Sequence, residues 1–233
     1  MLIPTTYAVQ VIAITMQQQT NDLEECDSTA HSKHFIGFLD RSVILTYIGI
    51  AFSVVGICIV FCGDIKWSLI CLISAGICDV LDGTVARACG RRTDEEKMYG
   101  IQIDSLADAV SFVALPAAIM FGMGHTDVVS IAVCVFFVLA GLIRLAHFNV
   151  MASISEQDSF TGLPVTSSCV LIPLLWLLSR YLDGIAMGAI ADVALVLTAI
   201  LFVSRIQIRK PSATAKIVLG AAGIIGIAII ICI

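Results

Sequence analysis

The sequence predicts an all-α integral membrane protein, built as a bundle of six to seven transmembrane helices. Of its 233 residues, 59% are hydrophobic and only 13% are charged, whereas a soluble domain has about 45–50% apolar and about 25% charged residues. The apolar residues also fall in runs of the length that a membrane-spanning helix needs, roughly 20 residues. Composition and run length together exclude an ordinary soluble domain.

Seven apolar segments are candidates for the spans. They are residues 42–62, 67–86, 103–123, 127–149, 164–181, 188–205 and 214–233. The first five are clear, the sixth is short and the seventh is apolar after Lys216, so the expected number stays at six to seven. We expect three parts along the chain: a polar or interfacial extension (1–39), a transmembrane domain (40–205), and a basic loop with a C-terminal helix (206–233).

The basic residues predict the orientation, because lysine and arginine collect on the cytoplasmic side of membrane proteins. If residues 79–108 face the cytoplasm, eleven of the 13 lysines and arginines lie on that side. Lys66 and Arg180 are the two that face outward. We therefore expect an integral protein of the cell membrane with its charged segment in the cytoplasm.

Four aspartates stand in or beside the second and third spans. Asp79 and Asp82 are three residues apart, and Asp104 and Asp108 are four apart, so each pair lies on one face of its helix. Two adjacent antiparallel helices would bring all four carboxylates together near the cytoplasmic surface. Because an aspartate at the centre of a spanning helix costs roughly 2.5–3.5 kcal/mol, we expect a functional role; solvated charges at helix ends are the alternative.

Hard divalent cations suit this group of carboxylates. Mg²⁺, Mn²⁺ and Ca²⁺ prefer oxygen ligands, and the set of residues at this spacing contains no histidine or cysteine to favour zinc. Two such ions can clamp a phosphoryl group during its transfer. Gly83 and Ala86 leave room against the helix backbone, and Arg87 offers a forked guanidinium to a phosphate. The pattern predicts phosphoryl-group transfer at the membrane surface, from a lipid-linked or nucleotide-linked donor.

The same segment resembles the signature of the CDP-alcohol phosphatidyltransferase family, D-x-x-D-G-x-x-A-R followed by G-x-x-x-D-x-x-x-D. Every fixed position is present: Asp79, Asp82, Gly83, Ala86, Arg87, Gly100, Asp104 and Asp108. The segment between Arg87 and Gly100 is longer than the signature usually has. Three further segments resemble the phosphatidylserine synthases of this family: DSLADAVSF (104–112), LIRLAHFNV (142–150) and FTGLPV (160–165).

The resemblance implies an enzyme that transfers the phosphatidyl group from CDP-diacylglycerol to the hydroxyl of L-serine, giving phosphatidylserine and CMP. It implies two bound divalent ions, Mg²⁺ or Mn²⁺, with Asp108 also acting as the general base. The implied metal ligands are Asp79, Asp82, Asp104 and Asp108. The residues implied to shape the pocket for the CDP part of the donor are Gly83, Ala86, Arg87 and Gly100. A homodimer surrounded by membrane lipids, with no nucleic-acid partner, is also implied.

Arg144 is the predicted substrate-binding residue outside the aspartate segment. It stands near the end of the fourth span and is expected to bind the serine carboxylate or a donor phosphate, with Asn149 orienting that region. A membrane anchor whose side chain reaches the headgroups is the alternative for Arg144. His147, which replaces an arginine common in the synthases, is interpreted as an interfacial histidine.

Two other functions stay open at this point. The first is the same chemistry with another acceptor or donor: glycerol-3-phosphate, inositol phosphate, or an archaeal lipid with serine. A phosphorylated acceptor should need several basic residues, and outside the loop after Arg87 only Arg144 qualifies, which favours serine. The second is a divalent-cation transporter, which would place its carboxylates near mid-membrane and often shows inverted repeats. The aspartates instead cluster at one end of their spans, and no repeat is visible.

Overall fold

Helices account for nearly all of the chain that the computed structural model describes, which is residues 41–88, 93–154, 159–209 and 213–232. The helices are α1 (Arg41–Phe61), α2 (Ile65–Ala88), α3 (Asp94–Asp108), α4 (Leu115–Gly122), α5 (Val128–Ile154), α6 (Ser168–Leu178), α7 (Gly184–Val203) and α8 (Ala213–Cys232). A π-helical stretch, Ala109–Ala114, joins α3 to α4, and a 3₁₀ turn, Val165–Ser167, precedes α6. Two short strands are also present, β1 (Ser159–Thr161) and β2 (Gln207–Arg209). The predicted extension, residues 1–39, lies outside the described residues.

The predicted helical membrane bundle is confirmed. Each of the seven predicted spans corresponds to one helical segment, with α3, the π-helical stretch and α4 forming the third. Within the described residues, four helices are long and apolar enough to cross a membrane: Val43–Phe61, Glu95–Gly122, Val128–Ala152 and Gly184–Val203. Two shorter apolar helices are Val165–Leu178 and Val218–Cys232. The chain is therefore an integral membrane protein, and α2, which carries two of the aspartates, is not among the four.

Helix α3 begins earlier than the sequence pattern predicts. The third span was expected to begin at residue 103, but the helix already starts at Asp94. A capping box fixes this start: Thr93 Oγ1 accepts a hydrogen bond from Glu96 N at 3.2 Å, and Thr93 N donates to Glu96 Oε2 at 2.9 Å. These bonds satisfy backbone donors that have no partner inside the helix. Gly100 therefore lies within α3, on the same helix as Asp104 and Asp108.

Residues 151–160 and 208–216, which lie largely between the predicted spans, contain helix and strand. Helix α5 continues to Ile154, and β1 pairs with β2 in antiparallel register, with Phe160 opposite Ile208. Gly162 follows β1 with a φ of +78°, and a Cβ there would lie 2.5 Å from the Phe202 carbonyl oxygen. Only glycine fits both the positive φ and this close approach. The FTGLP segment is thus a tight turn against the end of α7.

Side-chain hydrogen bonds between helices occur at both ends of the bundle. Thr46–Asp82, Tyr47–Tyr99 and Ser105–Asn149 join α1, α2, α3 and α5 at one end; we call it the acidic end, because it contains Asp79, Asp82, Asp104 and Asp108. Lys66 to the Ile231 carbonyl and Ser130 to Asp192 join helices at the other end. An apolar core fills the space between. Its largest fully buried side chains include Leu72, Phe112, Leu115, Phe137, Ile172 and Phe202.

Candidate functional site

Three of the four predicted aspartates converge in space. Asp79 on α2 and Asp104 and Asp108 on α3 each offer a carboxylate oxygen, and these oxygens all lie within 4.8 Å of one another. The convergence follows from the helical period: Asp104 and Asp108 share one face of α3, and α2 presents Asp79 towards that face. All three side chains are half-buried. Three oxygens at this spacing can surround one divalent cation.

Asp82 occupies a different position from the other three. Its side chain is 7% exposed, and its Oδ2 accepts a hydrogen bond from Thr46 Oγ1 on α1 at 3.1 Å. The group of converging oxygens in the described residues does not include it. Asp82 nevertheless lines the same small cavity as the other aspartates, and its charge interacts with that of Asp108. We expected four carboxylates to come together. In the structure three of them converge, and the fourth lies nearby with a hydrogen bond to α1.

The carboxylates surround a cavity of about 10 Å³, which is room for roughly one water molecule or a small ion. Helix α1 contributes Thr46 and Gly49 to its wall, and α2 contributes Ala75 and Cys78 beside Asp79 and Asp82. Small side chains therefore leave the carboxylate oxygens as the main polar groups of this cavity. An all-oxygen group of this kind fits Mg²⁺ or Mn²⁺ better than zinc.

Helix α1 contributes several polar side chains that the sequence analysis did not single out. Besides the Thr46–Asp82 bond, the hydroxyls of Tyr47 and Tyr99 are 2.7 Å apart, and Ser53 Oγ lies 2.7 Å from Ser111 Oγ. Thr46, Gly49 and Ser53 follow one another at helical spacing on α1. That stripe of small and polar residues in an apolar helix was the available signal. Through these contacts, α1 ties α2 to both α3 and the π-helical stretch.

The π-helical stretch begins directly after Asp108. Leu115 N donates to the carbonyl of Val110, five residues back rather than four. Pro116 follows at the start of α4; it has no N–H and would leave a carbonyl of the preceding turn unpaired in a regular helix. Such widened turns are rare and occur frequently at functional sites. Here the wide turn places Ser111 next to Ser53 and on the wall of the carboxylate cavity.

Arg144 is buried within electrostatic range of Asp108. Its side chain is 9% exposed, and its charge interacts with that of Asp108. Its Nε is buried and has no hydrogen-bond partner among the residues that the structure describes. A buried guanidinium N–H without a partner costs free energy unless a ligand or water accepts from it. The burial argues against the alternative of a membrane anchor reaching the headgroups, because an anchor would be exposed.

Asn149 connects α5 to α3 next to the aspartates. Its Oδ1 accepts a hydrogen bond from Ser105 Oγ at 2.6 Å, and its Nδ2 donates to Gln102 Oε1 at 3.3 Å. Ser105 directly follows Asp104. Asn149 thus joins the part of α5 that follows Arg144 to the part of α3 that carries Asp104. His147, in contrast, is exposed.

Of the four residues of the predicted CDP pocket, the structure describes the surroundings of Gly100 but not the side chains of the other three. Gly83, Ala86 and Arg87 belong to the last turns of α2, but their side chains lie outside the described part of the structure. Gly100 lies on α3, one turn before Asp104, and a Cβ built there would meet no atom within 4 Å. The space above Gly100 is therefore open. The pocket assignment of these four residues stays a prediction.

Together these groups provide negative oxygens for a metal ion, a buried guanidinium and a small cavity at one end of a membrane bundle. The model of one protein family, described as CDP-alcohol phosphatidyltransferase, matches residues 42–200. The chain belongs to the CDP-alcohol phosphatidyltransferase family. The match covers α1 to most of α7 and includes all four aspartates and Arg144. The resemblance seen in the sequence is thereby confirmed at the level of the family.

Curated relatives carry names within this family. The chain is 42% identical over 105 residues to the CDP-diacylglycerol–serine O-phosphatidyltransferase of Saccharomyces cerevisiae, covering 42% of this chain and 37% of that protein. It is 38% identical over 118 residues to a Helicobacter pylori protein of the same name, covering 48% of each chain. It is 28% identical over 178 residues to the archaetidylserine synthase of Methanothermobacter thermautotrophicus, covering 76% of this chain and 72% of that one. The chain thus spans less than half the length of the first two relatives.

Proposed function

We propose that this phosphatidyltransferase is a CDP-diacylglycerol–serine O-phosphatidyltransferase. It transfers the phosphatidyl group of CDP-diacylglycerol to L-serine, giving phosphatidylserine and CMP. The observation that carries the proposal is the convergence of Asp79, Asp104 and Asp108, with the buried guanidinium of Arg144 within electrostatic range of Asp108. The names of the yeast and Helicobacter relatives support serine as the acceptor.

The carboxylates are proposed to hold divalent cations, Mg²⁺ or Mn²⁺. Asp79, Asp104 and Asp108 supply converging oxygens, and Asp82 supplies a further oxygen from the same cavity. When bound, such ions supply positive charge that neutralises the pyrophosphate of the donor and the departing CMP. Carboxylates and substrate phosphates are the ligands that Mg²⁺ typically combines in enzymes, so the set of donor atoms fits this cofactor.

Asp108 is proposed as the general base. A serine hydroxyl is a poor nucleophile at neutral pH, and a carboxylate within hydrogen-bond reach can accept its proton as attack proceeds. The hydroxyl oxygen forms a bond to the phosphorus of the phosphatidyl group, and the bond from that phosphorus to the bridging oxygen breaks. CMP leaves with the electron pair, and the hydroxyl proton passes to Asp108.

Arg144 is proposed to bind the carboxylate of serine. Its Nε is buried without a partner in the described residues, and a guanidinium binds a carboxylate through two parallel hydrogen bonds. Such a contact is proposed to hold the amino acid within reach of Asp108, whose charge interacts with that of Arg144. Among the basic side chains that the structure describes, Arg144 is the one buried at the acidic end. A phosphorylated acceptor would need more positive charge than this.

The donor lipid allows a second candidate. The Methanothermobacter relative, named archaetidylserine synthase, matches a larger share of this chain than the yeast or Helicobacter proteins do. The comparisons therefore also support a transfer to serine from an archaeal lipid donor. Both candidates place the same demands on the carboxylates and on Arg144, and they differ only in the lipid that the bundle must bind.

The proposal also includes an orientation in the membrane and an oligomeric state. The acidic end is proposed to face the cytoplasm, because the distribution of the lysines and arginines favours that orientation. The homodimer stays a prediction. A cysteine-accessibility assay in intact cells, comparing a cysteine introduced at exposed Glu95 with one at exposed Asp183, tests the orientation; labelling of the Glu95 position from outside the cell would contradict it.

The deciding experiment offers the purified protein CDP-diacylglycerol and Mg²⁺ or Mn²⁺ with one acceptor at a time: serine, inositol, inositol phosphate and glycerol-3-phosphate. We expect release of CMP and formation of phosphatidyl product with serine. Product with a phosphorylated acceptor and none with serine would overturn the assignment of the acceptor. A parallel reaction with CDP-archaeol separates the two candidate donors.

A further inference from the structure

Two buried serines face each other where α1 meets the π-helical stretch. Ser53 on α1 is 0% exposed, and Ser111, three residues after Asp108, is 3% exposed. Their Oγ atoms are 2.7 Å apart, and Ser53 Oγ also lies 2.9 Å from the carbonyl oxygen of Gly49 in its own helix. Gly49 and Ser111 both line the carboxylate cavity. The serine pair therefore connects the wall of this cavity to the backbone of α1.

The number of hydrogens limits how the two serines can be bonded. A hydroxyl group carries one hydrogen, whereas a backbone carbonyl can only accept. Ser53 can therefore donate to Gly49 or to Ser111, but not to both at once. If Ser53 donates to Ser111, the hydrogen of Ser111 is available to an acceptor in the cavity. If Ser53 donates to Gly49, Ser111 donates to Ser53, and the remaining lone pairs of the Ser111 oxygen are available to the cavity instead.

A divalent cation in the cavity would need more oxygen atoms than the converging acids supply. Mg²⁺ prefers near-octahedral coordination, in which carboxylates are combined with uncharged oxygens. The lining of the cavity contains two hydroxyl side chains, Thr46 and Ser111. Thr46 donates to the carboxylate of Asp82, whereas Ser111 contacts the hydroxyl of Ser53. Ser111 is therefore the hydroxyl of this lining that a neighbour can turn with its oxygen towards a cation.

We propose that Ser111 supplies an uncharged oxygen ligand to a divalent cation in this cavity, and that Ser53 holds the Ser111 hydroxyl in the required direction. The proposal rests on the proposed function, because it assumes that the converging aspartates bind the cation. A cation repels the hydroxyl hydrogen and attracts the lone pairs, so it selects the arrangement in which Ser111 donates to Ser53. The Gly49 carbonyl then accepts the hydrogen of Ser53. Ser53 is thus a positioning residue that acts through Ser111.

The first test measures the affinity of the detergent-purified full chain for Mn²⁺ by electron paramagnetic resonance, with no lipid or nucleotide added. Ser111→Ala should weaken Mn²⁺ binding about tenfold, since removing groups that support a metal site typically costs about 10–100-fold in affinity. Ser53→Ala should weaken it by a smaller factor, because Ser111 keeps its oxygen but loses the acceptor for its hydrogen. Thr198→Ala is the matched control. Thr198 is also a buried hydroxyl, but it donates within α7 to the carbonyl of Ala194, so the Mn²⁺ affinity should not change.

A cysteine at the same position separates a metal ligand from a residue that only supports the packing. Thiolate sulfur favours zinc, whereas Mg²⁺ and Mn²⁺ prefer oxygen. Ser111→Cys should therefore bind Mn²⁺ more weakly and Zn²⁺ more tightly than the wild type, each by about tenfold. Cys78 lines the cavity in both proteins, so the difference between them reports on the substituted side chain. Thr198→Cys should change neither affinity.

The outcomes separate this inference from the proposed function. Unchanged Mn²⁺ affinity in Ser111→Ala, or no gain in Zn²⁺ affinity in Ser111→Cys, would overturn the role of Ser111 as a ligand while leaving the carboxylate site intact. Unchanged Mn²⁺ affinity in Ser53→Ala would overturn the positioning role of Ser53. Failure of the wild type to bind Mn²⁺ would overturn the metal site itself, on which both the inference and the proposed cofactor depend.

Discussion

Asp82 and Asp192 each accept a hydrogen bond from a hydroxyl group on another helix, but they differ in the other groups that lie near them. Asp82 accepts a hydrogen bond from Thr46 at 3.1 Å, and Asp192 on α7 accepts one from Ser130 on α5, also at 3.1 Å. Both acids therefore join two helices through one hydroxyl. Ser130 and Arg144 lie on the same helix fourteen residues apart, or roughly 21 Å at 1.5 Å per residue. The two pairs thus occupy opposite ends of the bundle.

The difference lies in what else each carboxylate meets. Asp82 lines a cavity with Asp79, Asp104 and Asp108, whereas Asp192 is not part of a group of three converging acids in the described residues. One oxygen of Asp192, Oδ1, is buried without a hydrogen-bond partner in that part of the chain. An intramembrane acid by itself is therefore a poor guide to the active site. Convergence of several carboxylates on one cavity is the better guide, and it predicts unequal effects of substitution at the two ends.

The largest expected effect is that of Asp108→Asn. The amide cannot accept the serine proton and brings one negative charge less to the metal ions, so kcat should fall by about 10²–10⁴-fold. CMP release from CDP-diacylglycerol and serine measures it. Asp192→Asn is the control, because it removes a carboxylate charge from the other end of the bundle, and it should keep activity within about twofold. Similar losses in both variants would refute the distinction between the two ends.

Thr46→Val should come next. Valine has a similar shape but cannot donate to Asp82, and loss of a hydrogen bond behind a metal ligand typically weakens metal affinity by about 10–100-fold. The Mg²⁺ concentration for half-maximal activity should rise, while the rate at saturating Mg²⁺ changes little.

Thr198→Val is the matched control for this prediction. Thr198 is also a buried threonine, but its hydroxyl donates to the carbonyl of Ala194 in its own helix, α7. An unchanged Mg²⁺ dependence in Thr46→Val would mean that α1 does not position Asp82 for metal binding.

A smaller effect is expected for Arg144→Lys. Lysine keeps the positive charge but cannot form two parallel hydrogen bonds to a carboxylate, so the KM for serine should rise about tenfold. The affinity for CDP-diacylglycerol should stay the same. Arg180→Lys, an exposed arginine over Trp176 at the other end, provides the comparison. If Arg144→Lys weakens the donor and not serine, Arg144 binds a phosphate instead.

The smallest effect is expected at the Ser130–Asp192 pair. Replacing Asp192 with alanine removes its hydrogen bond with Ser130, and hydrogen bonds between membrane helices average about 0.6 kcal/mol. The thermal midpoint in detergent should fall slightly, with unchanged kinetic constants for both substrates. A loss of activity larger than the loss of stability would show that this pair acts on the acidic end.

Helical spacing made the main features of the site predictable. Asp104 and Asp108 had to share a face of α3, because that follows from a 3.6-residue period. The sequence led us to expect Asp79 beside them, but only if α2 and α3 packed with these faces together. The same reasoning could not separate Asp82 from the other acids. Its partner, Thr46, lies 36 residues earlier on another helix, and no local pattern encodes a contact at that distance. The early start of α3 was readable from the capping box at Thr93 and Glu96, but was missed.

The sequence by itself determined that this is a helical membrane protein and which segments form its helices. It also determined which family the aspartate pattern belongs to. Run length, helical period and motif spacing are local properties, so they can be read without the tertiary structure. Only the tertiary structure decided which acids converge, that α1 holds Asp82, that Arg144 is buried within electrostatic range of Asp108, and that Ser53 meets Ser111 at the carboxylate cavity. These features depend on how distant helices pack. Packing is set by the combined shapes of many side chains rather than by any one segment.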